Sequence, residues 1–194
     1  NYTLVKELSL CRQAYSNPTN VPEKTIKYIR QVWNGAIIEP VSISVKLFIT
    51  PQDEALQKEL FKRKLYISDE SEFDKKVGEI YNYIGETYIK GNFGSDLKAW
   101  GKNEYWEFPF ETIWAIRTGK KLDCDSFSHL LLSAYRICGV PADKCFVSWG
   151  LVRGSFTSGN LHNTTFVRSS NKEWFHLDST GSNFKRKSLL DFPN

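Results

Sequence analysis

Four cysteines and three histidines set what covalent chemistry this chain of 194 residues can do. Cys124 stands in the stretch KKLDCDSFSHLL, between Asp123 and Asp125, where a polar loop gives way to an apolar run. Taken alone it is open to four readings: core filler, disulfide half, metal ligand or nucleophile. The other cysteines, Cys11, Cys138 and Cys145, are irregularly spaced and form no Cys-x-x-Cys pair, which argues against a zinc site. Four is also too few for a disulfide-dense scaffold. Cys138 closes one apolar run and Cys145 opens another, so both read as core residues, with one bridge left open.

A thiolate, not a thiol, is the nucleophile. The first turn of a helix favours the anion through its unpaired N–H groups and the positive end of its dipole. Asp123 and Asp125 oppose that effect, so a reactive Cys124 needs a histidine. His129 lies five residues further along the same predicted helix, about 500° of rotation on, and points away. It reads as a core or surface residue. His162 opens a predicted strand after the Gly/Ser-rich loop Arg153 to Asn160, and His176 lies two residues before Asp178. A hairpin turn centred on residue 170 sets His162 opposite Asp178 and His176 opposite Thr164. Cross-strand neighbours are about 5 Å apart, so Asp178 is expected beside His162, where it fixes the imidazole tautomer. An acyl-transfer site also needs oxyanion donors. The candidates are the Cys124 backbone N–H and the indole of Trp106 or Trp100. Arg153, Gly154, Ser155 and Phe156 lead toward His162 and read as a substrate-facing loop. No acidic loop has a calcium-site spacing, and no metal or other cofactor is implied.

The positioning elements follow from periodicity and punctuation. Glu23 to Trp33 is read as a short helix and Pro40 to Ile49 as a strand. Thr50-Pro51-Gln52-Asp53 gives a helix start, with Thr50 as cap and Pro51 in the first position of a helix to Lys64. A stronger helix spans Glu72 to Lys90, with Phe73, Val77, Ile80, Tyr81, Ile84 and Tyr88 in one stripe and Gly91 as its stop. An aromatic, loop-rich stretch then leads to a short helix from Pro109 to Ile116. Asp123 caps the helix that carries Cys124, and Phe127, Leu130, Leu131, Ala134, Tyr135 and Cys138 keep helical spacing up to Gly139-Val140-Pro141. Three antiparallel strands follow, over Cys145 to Val152, Leu161 to Val167 and Glu173 to Ser179. Helices first and strands after predict an α+β domain with the Cys124 helix packed on the sheet.

Composition excludes several function classes. The chain is 41% hydrophobic and 25% charged, and no apolar run approaches the roughly 20 residues of a membrane helix. The net charge of +4 is mild; the basic runs FKRK at Phe61 and FKRKS at Phe184 read as solvated surface, and no nucleic-acid signature accompanies them. The first residues lack a signal-peptide layout, and with no methionine anywhere the chain reads as a trimmed one of unassigned compartment.

The order Cys, His, Asp as helix start, strand, strand is similar to the transglutaminase-like family of cysteine enzymes. The residues that carry the resemblance are Lys120 to Gly139, VPADKCFVSWG, LHNTTFV and WFHLDST, with the upstream YWEFPFETIWAIRTGKK. It covers roughly Glu72 to Thr180, so residues 69–194 are assigned to a catalytic domain and residues 1–68 to an N-terminal segment of unassigned role. The resemblance implies a papain-like α+β fold in the broad sense, with Cys124 as nucleophile, His162 as general base and acid, and Asp178 as the orienting residue. It implies acyl transfer on the amide bonds of a peptide or protein, a cell-wall peptide included. Hydrolysis is favoured, because the chain lacks the extra domains of animal crosslinking enzymes; glutamine transfer to an amine and an inactive peptide-binding module are the alternatives. Leu122-Asp123 before the cysteine and Asn163-Thr164 after the histidine depart from the family pattern.

Overall fold

The computed structural model describes residues 25–31, 38–102, 105–151, 161–177 and 186–188. Two strands, β1 (Thr25–Gln31) and β2 (Ile38–Ser44), pair antiparallel from Thr25 opposite Ser44 to Gln31 opposite Ile38. The expected helix over Glu23 to Trp33 is therefore a strand. Its β-branched and aromatic residues, Thr25, Ile26, Tyr28 and Ile29, suit a ladder, and the Ile38–Ser44 strand supplies the partner.

Helix α1 (Glu54–Lys62) starts three residues later than predicted. Asp53 is its cap, with Oδ1 accepting from the Leu56 N–H at 2.9 Å. Thr50 instead closes a turn onto Asp53 and donates its own N–H to Ser133 Oγ at 2.9 Å. An aspartate with free N–H groups ahead of it is as good a cap as threonine, and the Pro51 turn delivers the chain to it.

The predicted long helix is two pieces. Helix α2 (Phe73–Ile84) runs into a single π-helical turn over Gly85–Ile89, closed by the Lys90 N–H on the Gly85 carbonyl at 2.9 Å. Gly91 then stops it with φ +76°. Short helix α3 (Asp96–Trp100) follows, unforeseen, and α4 (Pro109–Arg117) starts at the expected proline. Glu111 reaches back to the N–H of Phe108 at 2.9 Å and anchors that start.

Helix α5 (Cys124–Ile137) is the centre of the molecule, and Asp125 through Tyr135 are all buried. A helix covered on every side needs polar residues only where a partner waits. Ser133 accepts from Thr50, Ser126 donates to Glu107, and the Tyr135 hydroxyl donates to the Val77 carbonyl at 3.1 Å. Ile49, Leu56, Leu60, Ile80, Ile84, Leu130 and Leu131 share one core around it, so residues before position 69 pack into the same core as α5.

Strands β3 (Cys145–Leu151), β4 (Leu161–Arg168), β5 (Trp174–Leu177) and β6 (Arg186–Ser188) form an antiparallel sheet in that order. The fourth strand was not predicted; its residues belong to the run taken for solvated surface. The fold is α+β, as the sequence predicts. Cys138 and Cys145 are buried free thiols, so the bridge left open is absent. Burial pushes both up to about 12, which leaves them unreactive. No helix among the described residues is long and apolar enough to cross a membrane.

Candidate active site

Two chain segments hold Cys124 in place. Upstream, Leu122 is fully buried and its N–H and carbonyl bond Asn92 and Gly94 at 2.8 and 2.7 Å, tying the approach to Cys124 onto the loop after the π turn. Downstream, the buried α5 fixes the helix axis. Asp123 occupies the cap position but its carboxylate makes no capping bond, so the first-turn N–H groups of α5 are not spent on it.

Strand β4 runs beside the first two turns of α5. The Asn163 N–H donates to Cys124 Sγ at 3.4 Å, and Thr165 Oγ1 bonds the Ser128 carbonyl at 3.4 Å. A strand N–H lies in the plane of its sheet. The sulfur therefore sits edge-on to β4, next to the residue that follows His162. Cys124 and His162 are both half-buried. Of the three histidines, His162 is the one whose own chain neighbour touches the sulfur.

His129 is excluded from the chemistry. Its ring is fully buried, 5.2 Å from Phe48 and 5.6 Å from Trp106 between centroids. Burial depresses its pKa to about 4, so it stays neutral. The core reading holds.

The hairpin register differs from the expected one. His176 lies opposite Phe166, not Thr164, and their rings meet at 5.0 Å. The turn is centred on Asn171 rather than Ser170. Ser169 and Glu173 bond across it at 2.8 Å, and Lys172 takes a left-handed conformation at φ 71°. A three-residue loop ending in that conformation is a standard hairpin connection, and it slides the ladder by two residues. Asp178 and the loop residues Arg153, Gly154, Ser155 and Phe156 lie outside the described residues.

Of the oxyanion candidates, Trp100 has its indole N–H committed to Glu107 Oε1. Trp106 is buried edge-on to Phe48 and His129. The Cys124 N–H opens α5 and belongs to its first turn.

An acidic cluster lies at the start of α5, and sequence reasoning saw only half of it. Glu107 is fully buried; it accepts from Ser126 Oγ at 2.5 Å and from Trp100. Burial raises its carboxyl well above the usual range. Asp125 is also buried and pushed well up, first by desolvation and then by the charge of Asp123, with Asp96 adding to it. The ligand atoms of Asp123, Cys124 and Asp125 lie within 4.8 Å of one another, and these are the residues that could hold a cation. Asp96 and Glu107 come from segments 28 and 17 residues before Cys124, and no local motif announces them.

Structural neighbours are distant. Two solved structures of LapG from Legionella pneumophila, one described as calcium-bound, match at TM-scores of 0.44 and 0.43 with 20% and 19% identity. Each match covers 72% of this chain and 78% of LapG. A third, EGTA-treated LapG structure matches at 0.43. No protein-family model and no curated protein matches the sequence.

Proposed function

We propose that this protein is a cysteine-dependent hydrolase of amide bonds in peptides or proteins. One observation carries the reading: a half-buried Cys124 opens the central helix, with its sulfur 3.4 Å from the backbone N–H of the residue after His162. In this reaction His162 takes the thiol proton, and the sulfur attacks the amide carbonyl. The resulting oxyanion is held by the Cys124 N–H, with Trp106 as the second candidate donor. The imidazolium then protonates the departing amine, leaving a thioester, and water activated by His162 releases the acid and restores the thiol. Asp178 is the orienting acid of the proposal. The buried Asp125, pushed toward its protonated form, removes one of the two flanking charges that would oppose a thiolate.

Iodoacetamide labelling of Cys124 at pH 6 tests this. A free thiol of pKa about 8.5 is only about 0.3% thiolate there. A thiolate paired with imidazolium labels on the order of tenfold to a hundredfold faster. His162→Ala removes that advantage, and Cys124→Ala removes the label. A wild-type rate no faster than that of a free thiol sinks the proposal.

A further inference from the structure

A cleft of about 670 Å³ lies between α1, α2 with its π turn, and the end of α4. None of its lining residues belongs to the Cys124 site. Glu59 forms its floor, with Tyr83, Tyr88 and Arg117 around it and Lys62 and Arg63 on the rim. Both phenols donate to the same carboxylate oxygen, Glu59 Oε1. The other oxygen faces Arg117 Nη2 at 3.6 Å. The carboxylate is thus engaged on both sides, by the two phenols and by Arg117.

The π turn is what assembles this floor. In a plain α-helix, residues five apart are rotated about 140° from each other, so Tyr83 and Tyr88 would diverge. A π turn closes on the fifth residue, which returns Tyr88 to the face of Tyr83. Such turns are poorer helices and recur at functional sites. Three cations, Lys62, Arg63 and Arg117, against one carboxylate leave the cleft with an excess of two positive charges. Lys62 and Arg63 make no ion pair among the described residues, and the Arg63 guanidinium lies 5.1 Å from the Tyr83 ring centroid. The volume is that of a small-molecule site.

We propose that this cleft binds a small polyanion, a molecule with clustered oxyanion groups such as a phosphate ester or a polycarboxylate. Arg63 and Arg117 grip its oxygens in the planar fork geometry guanidinium allows, Lys62 adds a point charge, and the tyrosine-braced Glu59 holds Arg117 in position.

Calorimetric titration of the full chain with pyrophosphate and, separately, citrate decides the matter. Saturable binding tighter than about 1 mM at low salt is expected for at least one of them, weakening as salt rises. The double variant Lys62→Gln/Arg63→Gln, which changes exposed residues only, should bind at least tenfold more weakly. Arg63→Lys should fall between the two. Tighter pyrophosphate assigns a phosphate ester, and tighter citrate a polycarboxylate. Absence of saturation by both up to about 10 mM, or equal affinity in the double variant, overturns the proposal. Cys124 labelling should be the same in these variants, so this outcome and that of the hydrolase reading are read separately.

Discussion

Acidifying the protein from pH 7 to pH 5 should cost it about 2 kcal/mol through His129 alone. The buried ring titrates near 4, whereas an unfolded histidine titrates near 6.5. Below pH 6.5 the unfolded chain takes up a proton that the native chain refuses. The contribution is therefore intact above 6.5 and is lost as pH falls toward 4. Linkage over that gap gives about 2 kcal/mol at pH 5 and a limit of about 3 kcal/mol below pH 4. Against a typical stability of about 5–15 kcal/mol this is a large fraction. His129→Phe is the matched control, because a second aromatic ring can stack on Phe48 and Trp106 but cannot titrate. Urea unfolding of both proteins at pH 7, 6 and 5 should show the wild type losing about 2 kcal/mol more than the variant, at equal m-values. Proton NMR should find the His129 ring neutral at pH 5. The pH profile of Cys124 labelling should be unchanged in His129→Phe, since the His129 ring packs on Phe48 and Trp106 and the sulfur's contact is the Asn163 N–H. If both proteins lose stability in parallel, the argument from burial is wrong.

Two further outcomes follow from the surroundings of Cys124. Burial raises the Glu107 carboxyl well above the usual range, so its contribution is full below the unfolded value of about 4.3 and fades as pH rises toward its higher native value. The melting temperature of wild type relative to Glu107→Gln should therefore fall steadily from pH 4.5 to pH 8; a rising difference would mean that the carboxylate is ionised. A Cβ added at Gly94 would stand 2.5 Å from Lys121 Cβ and 2.9 Å from the Lys121 carbonyl. Gly94→Ala should cost about 1–3 kcal/mol in urea unfolding and slow Cys124 labelling, because the displaced segment leads directly into Cys124. Wild-type values in both assays would refute that link.

The parts legible in the sequence are those decided by local pattern. The spacing of Phe127, Leu130, Leu131, Ala134 and Tyr135 specifies α5, and Gly139 specifies its end, because both signals act within one or two turns. Thr25 to Gln31 was misread because a short apolar run carries both periods, and its pairing with Ile38–Ser44 decides between them. The hairpin register missed by two residues because one left-handed residue, Lys172, moves the centre of a turn without changing its composition. The π turn has no sequence signature, and the phenols it aligns read simply as an apolar stripe and its neighbour. Asp96 and Glu107 reach the active site only through tertiary packing, so their burial and their shifted protonation were invisible. Cys124 was singled out by its place at a helix start, which the structure keeps, whereas His162 was chosen through a hairpin register that the structure shifts by two residues.

The bond between Asn163 and the Cys124 sulfur also bears on how the protein is made. It joins residues 39 apart, on either side of α5 and β3. A ribosome delivers Cys124 well before His162 and the strand that carries it. During that interval the thiol has its helix but no strand amide beside it. Closing so long a loop is an entropic cost met late in folding, together with the rest of the sheet. On the proposed function, the nascent chain is chemically quiet at Cys124 until the sheet has closed onto the helix. Alkylation of Cys124 is for the same reason a clock for the last stage of folding.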